Sequence, residues 1–214
     1  MKKAILILGM GRSGTSALSG VITMLGAYPG EKLLEARPEN AKGFFENSEI
    51  LKLNDYLLSK MNTSWDDPND ASAIDVHLYL ELVKYVLHNI FMQSSIIVIK
   101  DPRTCLLYPI YSKALLELGY EIYRLRTKRN VEEVIASLIS RDGFSSDKCL
   151  RICEKYDKKI DEIGMECLNV EFDKLLTDTD SSIESIRSYL PFLNYEPASI
   201  EKIKSFLDVN LKHH

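Results

Sequence analysis

The residues best suited to chemistry stand near the start of the chain, where Gly9–Ser16 reads Gly-Met-Gly-Arg-Ser-Gly-Thr-Ser. An apolar run, Ala4–Leu8, precedes this segment, and an apolar helical pattern follows it from Ala17 to Leu25. A strand, a glycine-rich turn and a helix together direct backbone N–H groups and a helix N-terminus at a phosphate. The pattern therefore predicts a phosphate-binding loop, built from Gly11, Arg12, Ser13, Gly14, Thr15 and Ser16.

This loop departs from the common form GxxxxGK[ST] at one position, because Thr15 stands where that form has lysine. The lysine reaches the β- and γ-phosphates of a nucleoside triphosphate, so its absence argues against ordinary ATP or GTP chemistry. Gly11 and Gly14 still allow a ligand to approach the backbone closely, and Ser16 offers a hydroxyl donor. Arg12 adds a guanidinium that can bind a phosphate through two hydrogen bonds.

A second candidate anion site follows the predicted strand near Ile122, where Arg129 precedes a helical pattern that contains Ser137. Both residues would lie near the carboxyl edge of a parallel sheet, where they could hold one more anion. An arginine ahead of a helix and a serine inside one are also common on ordinary solvated surfaces. The pair taken alone leaves both interpretations open.

The hydrophobic pattern of the whole chain predicts short buried strands that alternate with helices. Strands are expected at Lys3–Leu8, Ser95–Ile99, Glu121–Leu125 and Glu166–Val170. Helices are expected at Ser16–Leu25, Ser48–Lys60, Val76–Met92, Leu107–Leu118, Val131–Arg141, Asp147–Ile163 and Ser181–Leu190. This alternation predicts the α/β class, with a parallel sheet that helices cover on both faces and a ligand site at the carboxyl ends of the strands.

We predict a single domain over residues 1–214 that contains an insertion over residues 26–94. The first part of the insertion, Gly26–Asp75, is irregular, with Pro29, Pro38, Pro68 and several polar turns. A long irregular segment next to a phosphate loop often faces the substrate. A simple connector between elements is the alternative.

Composition limits the classes of partner. The chain is 45% hydrophobic and 27% charged with a net charge of −4, so bulk charge favours neither nucleic acid nor an anionic membrane. Its longest apolar runs are too short for a membrane span, and the first is too short for a signal peptide, so we expect a cytoplasmic protein. The four cysteines are expected to be buried core residues: Cys105, Cys149, Cys153 and Cys167. We do not expect them to form a metal site.

Several segments resemble the sulfotransferases that use 3′-phosphoadenosine 5′-phosphosulfate (PAPS). The run Arg12–Ser16 is similar to their [RK]SGTT loop, which holds the 5′-phosphosulfate, and Arg129 with Ser137 has the spacing of their RxPxxxxxS segment, which holds the 3′-phosphate. Three further stretches resemble the GFWE…ND, KDPR and YEDLL segments of bacterial members: Gly43–Glu46 with Leu53–Asp55, Lys100–Arg103, and Val170–Leu176. Val131 replaces the proline of the second motif, and the C-terminal RKG-type loop of animal members is absent, as it is in bacterial carbohydrate-type members.

The resemblance implies a P-loop NTPase-like, three-layer α/β/α fold and transfer of a sulfuryl group from PAPS to an acceptor hydroxyl. The products would be adenosine 3′,5′-bisphosphate (PAP) and a sulfated small molecule, expected to be a carbohydrate or glycolipid. Glu46 is the implied general base, and Asp101 is a second candidate. The alternative for Glu46 is a surface carboxylate or a cap of the helix that begins at Ser48. Arg12 would stabilise charge on the leaving 5′-phosphate, and Lys100 would contact the transferred sulfuryl group. No metal is implied, and the oligomeric state is left open.

The acceptor site is predicted less sharply. We expect Phe44, Phe45 and Trp65 to line it, with Asp101 and Arg103 close by, although Trp65 would also suit a core and the two charged residues a structural ion pair. Two other functions remain open at this point. One is a P-loop kinase-like phosphotransferase with a degenerate loop, and the other is a nucleotide-binding protein without turnover.

Overall fold

Four parallel strands form the centre of the molecule. The computed structural model describes residues 1–37, 40, 42–67, 69, 73–164 and 166–207. The strands are β1 (Lys2–Leu8), β2 (Ile96–Lys100), β3 (Tyr120–Lys128) and β4 (Leu168–Glu171), in the order β2-β1-β3-β4. All three neighbouring pairs are parallel, so the predicted parallel α/β sheet is confirmed.

The helices follow the predicted pattern with small shifts at their ends. Their bounds are α1 (Thr15–Met24), α2 (Ser48–Lys60), α3 (Val76–Phe91), α4 (Tyr108–Glu117), α5 (Val131–Asp142), α6 (Ser146–Asp161), α7 (Phe172–Thr177), α8 (Thr179–Tyr189) and α9 (Pro197–Phe206). Helices α7 and α9, and a 3-10 turn at Pro102–Cys105, were not predicted. The first of these helices and the turn are only six and four residues long, too short to show a helical period.

Helices cover both faces of the sheet, as predicted. Successive side chains of β1 point to opposite faces, and each face is buried against a different set of helices. Leu6 and Leu8 point into a core shared with α2, α3, α4, α5 and α6. Ile5 and Ile7 point into a second core shared with α1, α7, α8 and α9. These strand residues are between 0% and 1% exposed, so the molecule has the three-layer α/β/α arrangement.

The carboxyl ends of the four strands bring separate parts of the sequence to one edge of the sheet. The predicted phosphate loop follows β1, and the Lys100–Arg103 segment lies at the end of β2. Arg129 follows β3 directly, and Phe172 follows β4 directly. Because all strands run in the same direction, these four segments must lie side by side.

The 26–94 region holds α2 and α3 and runs beside β2 in an extended conformation. Isolated bridges join Tyr28 to Ile97 and Leu33 to Asn47. Two of the prolines named for the irregular segment, Pro38 and Pro68, lie outside the described residues. Within the described part of the chain, every helix is too short or too polar to cross a lipid bilayer.

The cysteines behave as core residues. Cys105, Cys149 and Cys153 are buried, and Cys167 is partly buried, so the predicted burial is confirmed for three of the four. Burial raises the pKa of Cys105 and of Cys153 to about 12. At neutral pH both thiols are therefore protonated and unreactive.

Candidate functional site

A cavity of about 660 Å³ opens at the carboxyl edge of the sheet. This volume lies within the usual range of small-molecule sites. Seven basic and two acidic side chains of the described residues line it: Arg12, Arg37, Lys42, Lys100, Arg103, Arg129 and Arg141, with Glu46 and Asp142. In a chain of net charge −4, this excess of basic residues makes the cavity locally suited to an anion.

The phosphate loop presents the N-terminus of α1 to this cavity. Gly14 precedes the helix in the left-handed conformation, with φ 93°, and no described side chain caps the helix there. The first N–H groups of a helix lack partners inside the helix, so they are available to a ligand. Gly14, Thr15, Ser16 and Ala17 all border the cavity. This is the geometry that binds a phosphate or sulfate group.

Gly14 is also required by close packing against Phe172. A Cβ atom at this position would lie 2.3 Å from Cδ2 of Phe172. Gly43 provides a matched comparison, because it has the same φ of +93° but open space where its Cβ would be.

We predict that Gly14→Ala destabilises the fold more than Gly43→Ala does. Both substitutions force alanine into the left-handed region, at a cost of about 1–2 kcal/mol. Gly14→Ala adds an overpacking cost of about 1–3 kcal/mol. Urea unfolding of the two variants measures the difference. Equal losses of stability would show that the contact with Phe172 costs nothing.

Ser13 was predicted to bind the ligand, but its side chain serves the loop itself. Its hydroxyl donates to the carbonyl of Met10 at 2.6 Å and lies 2.8 Å from Oγ1 of Thr127. The residue is only 6% exposed. Its side chain therefore fixes the loop against the end of β3.

The two predicted anion motifs meet in the structure. Nε of Arg12 donates to the hydroxyl of Ser137 at 2.8 Å, and Nη1 of Arg129 donates to the carbonyl of Arg12 at 3.0 Å. Arg12 has a positive φ of 71°, which is uncommon for a residue other than glycine. Arg129 is also held by Glu133, 2.9 Å away. Residues more than 110 positions apart thus meet beside the phosphate loop. Arg12 and Arg129 border the cavity, whereas Ser137 is 2% exposed and does not.

Glu46 and Lys100 form a buried ion pair at the cavity wall. Their side chains are 11% and 3% exposed, and Nζ of Lys100 lies 2.5 Å from Oε1 of Glu46. The same ammonium donates to the carbonyl of Phe44 at 3.1 Å and to the hydroxyl of Ser16 at 3.2 Å. Lys100 therefore connects the predicted base to the phosphate loop.

Asp101 and Arg103 form a second ion pair beneath the cavity. Asp101 is fully buried, accepts the backbone N–H of Arg103 at 2.8 Å, and contacts its guanidinium at 3.2 Å. Burial raises the pKa of Asp101, and the charge of Arg103 opposes that rise. Arg103 also contacts Asp55 on α2, at 2.6 Å. Of these residues only Arg103 borders the cavity.

The aromatic residues predicted for the acceptor site divide into two groups. Phe44 and Trp65 line the cavity. Phe45 has a positive φ of 55° and packs instead against Phe206 of α9, with ring centroids 5.9 Å apart. The guanidinium of Arg141 lies over the Trp65 ring, 5.5 Å from its centroid.

One apolar wall of the cavity was not predicted from the sequence. Helix α7 supplies it through Phe172 and Leu176, and the end of α9 through Phe206 and the following Leu207. The guanidinium of Arg129 lies 5.1 Å from the centroid of the Phe172 ring, so this wall adjoins Arg129. The apolar residues that directly follow β4 were the available signal for α7.

This arrangement defines the class of the molecule: an α/β protein with the P-loop-like fold, in which the predicted phosphate loop follows the first strand. It is similar in structure to the sulfotransferase domain of the Synechococcus PCC 7002 olefin synthase, with a TM-score of 0.57 and 16% identity over 100% of this chain and 85% of that one. It is also similar to the sulfotransferase STF1 of Mycobacterium tuberculosis H37Rv, with a TM-score of 0.52 and 14% identity over 96% and 71% of the two chains. No protein-family model and no curated protein matches the sequence. The chain therefore has the fold of these sulfotransferases.

Proposed function

We propose that this protein transfers a sulfuryl group from PAPS to the hydroxyl of a small molecule. The observation that carries the proposal is the contact of Arg12 with Ser137 and Arg129, next to the N-terminus of α1. This contact brings the two predicted anion-binding motifs together at one cavity, where a ligand with two separate phosphate groups could reach Arg12 and Arg129. The shared fold with two solved sulfotransferases supports the same activity.

The donor would bind with its two charged ends on the two motifs. Its 5′-phosphosulfate would accept N–H groups from Gly14, Thr15 and Ser16 at the helix N-terminus. Its 3′-phosphate would bind Arg129 and the hydroxyl of Ser137. Its adenine would lie against the apolar wall that contains Phe172, since rings stack favourably on aromatic faces.

The chemistry would rest on positioning and on electrostatics. Glu46 would accept the proton of the acceptor hydroxyl while the acceptor oxygen bonds to sulfur. The bond between sulfur and the 5′-phosphate oxygen would break, and PAP would leave with the electron pair. Arg12 would stabilise charge on that leaving oxygen, and Lys100 would stabilise the sulfuryl oxygens. The described residues contain no cluster of three or more His, Cys, Asp or Glu side chains placed to hold a metal ion, and the proposed steps use none.

Several finer predictions belong to this proposal. The acceptor would be a small molecule rather than nucleic acid, which agrees with a cavity of about 660 Å³. A carbohydrate or glycolipid acceptor and a cytoplasmic location stay predictions of the sequence resemblance.

We predict that Arg129→Ala weakens binding of PAP by about 10- to 100-fold, because a hydrogen bond to a charged group contributes about 1.5–3 kcal/mol. Binding of 5′-AMP, which lacks the 3′-phosphate, should change far less. Isothermal titration calorimetry measures both affinities.

Arg187→Ala is the matched control for this measurement, because Arg187 lies on α8 and pairs with Glu184 at 3.4 Å, outside the cavity. Both nucleotides should bind it as they bind the unmodified protein. Equal losses of PAP and AMP affinity in Arg129→Ala would contradict the assignment of the 3′-phosphate.

A further inference from the structure

Helix α1 carries a glycine in its interior, at a position where the helix itself does not need one. Gly20 is buried, and glycine is disfavoured inside helices. A Cβ atom at Gly20 would lie 2.5 Å from Cζ of Phe206 and 3.0 Å from Cζ of Phe45. The two rings meet edge to face, with their centroids 5.9 Å apart. Gly20 therefore leaves a socket on α1, which two aromatic rings from distant parts of the chain fill.

The first ring belongs to the segment that carries Glu46. Phe45 directly precedes Glu46, and its ring lies in the Gly20 socket, whereas Phe44 and Glu46 on either side of it border the cavity. The carbonyl of Phe44 accepts a hydrogen bond from the hydroxyl of Ser16 at 3.3 Å. Ser16 and Gly20 are one turn apart on the same face of α1. The segment before Glu46 is thus attached to α1 at two points.

The second ring belongs to Phe206, the last residue of α9. Ile203, one turn earlier, is fully buried in the core that α9 shares with α1, so the end of α9 has a fixed position against α1. The Phe206 ring packs against Phe45 on one side and borders the cavity. Removal of this ring would leave space into which the ring of Phe45 could move.

The distance of Glu46 from the phosphate loop matters for the proposed reaction. Helix α1 begins at that loop, and its Ser16 and Gly20 contact the two residues that precede Glu46. A general base must lie within hydrogen-bond reach of the proton that it accepts. A misplacement of about 1 Å can lower a rate by about 10²-fold. The contacts that fix this segment on α1 therefore bear on turnover.

We propose that Phe206 is a positioning residue for Glu46, and that it acts through Phe45 in the Gly20 socket. This inference rests on the proposed function, because it takes Glu46 as the general base. Phe206 itself takes no part in the proton transfer. Its ring keeps Phe45 in the socket, and Phe45 keeps Glu46 at its distance from the phosphate loop.

The ion pair of Glu46 with Lys100 reports the position of Glu46 without any ligand. Urea unfolding of Glu46→Gln, of Lys100→Met and of the double variant gives the coupling free energy between the two residues. Phe206→Ala should lower this coupling by roughly 30% or more. The reason is that the attraction falls as one over the distance, and a shift of about 1 Å is added to the present 2.5 Å. An unchanged coupling would overturn the proposal.

The kinetic test compares Phe206→Ala in two chains. In the unmodified chain it should lower the turnover number at saturating PAPS by about 10- to 100-fold. In a chain that already carries Glu46→Gln it should lower turnover by less than about twofold, because the residue through which it acts has lost its function. The measurement is PAP release from PAPS, with an acceptor found by screening. Equal fold-losses in the two chains would show a general structural role and contradict the proposal.

Phe192→Ala is the matched control. Phe192 is also partly buried, and it packs against Tyr123 with ring centroids 4.9 Å apart, outside the cavity. This variant should leave both the turnover number and the coupling unchanged. A loss of coupling as large as that in Phe206→Ala would show that the effect does not depend on the socket. Phe206→Leu, which keeps an apolar side chain without the ring, replaces Phe206→Ala in every test if the alanine variant does not fold.

Calorimetry with PAP, run on the same preparations, separates this inference from the proposed function. If the unmodified protein did not bind PAP, the proposed function would fail, and the coupling measurement would still decide whether the socket holds Glu46. Binding of PAP and a loss of turnover in Glu46→Gln, with equal effects of Phe206→Ala in both chains, would contradict the positioning role and leave the proposed function standing.

Discussion

Replacement of Glu46 by glutamine is expected to lower the turnover number by about 10²–10⁴-fold, the usual contribution of a general base. The amide has no basic oxygen to accept the proton of the acceptor hydroxyl. Its oxygen can still accept a hydrogen bond from Lys100, so the fold should survive. The measurement is the rate of PAP release from PAPS, in the presence of an acceptor found by screening.

Glu49→Gln is the control for this substitution, because Glu49 lies three residues away and pairs with Lys32 in an exposed contact. Its turnover should equal that of the unmodified protein. Affinity for PAP should be nearly unchanged in both variants. Unchanged turnover in Glu46→Gln would remove Glu46 from the role of base.

Removal of Lys100 is expected to have the largest effect on stability. Lys100→Met leaves the carboxylate of Glu46 buried without its cation, which costs about 3–5 kcal/mol. Urea unfolding gives the change in the free energy of unfolding. The double variant Glu46→Gln with Lys100→Met should be more stable than Lys100→Met alone, because it removes the unpaired charge.

Lys84→Met gives the comparison for an exposed ion pair. Lys84 contacts Glu81 and Glu117 at 2.8 and 2.9 Å on the protein surface. Such pairs contribute about 0–1 kcal/mol, so the loss should be small. If Lys100→Met lowered the free energy of unfolding no more than Lys84→Met does, the ion pair of Lys100 with Glu46 would not behave as a buried ion pair.

Local patterns allowed most of the fold to be predicted. The apolar run before Gly9 predicted β1, and the period of apolar residues in Ser48–Lys60 predicted α2 with the bounds that the structure has. A parallel sheet then requires that the residues after its strands lie together, so Arg129 could be expected near the phosphate loop. This part of the prediction depends on topology and needs no knowledge of distances.

The pairing of charges within the site could not be predicted in the same way. Glu46 and Lys100 are 54 residues apart, and no local pattern indicates that one faces the other. Phe44 and Phe45 are adjacent and chemically identical, yet the positive φ of Phe45 accompanies packing of its ring against α9 and away from the cavity. Side-chain direction in an irregular segment depends on such backbone angles, which sequence period does not encode.

In the turn between β1 and α1, the structure differs from the sequence prediction at Ser13. Ser13 belongs to the loop in sequence, but its hydroxyl is used by Met10 and Thr127. In a tight turn some side chains must face inward to satisfy the backbone. The motif alone did not distinguish Ser13 from Ser16, whose hydroxyl faces Lys100 and Phe44.

The most direct test of the proposed donor is a calorimetric titration of the protein with PAP and with ATP in the presence of EDTA. We predict that PAP binds at one site and at least roughly tenfold more tightly than ATP, because the cavity offers charge-assisted contacts to a 3′-phosphate that ATP lacks. Tighter binding of ATP than of PAP would contradict the proposed donor and favour a phosphotransferase. The same conclusion would follow if ATP bound more tightly than PAP only when magnesium replaced the EDTA.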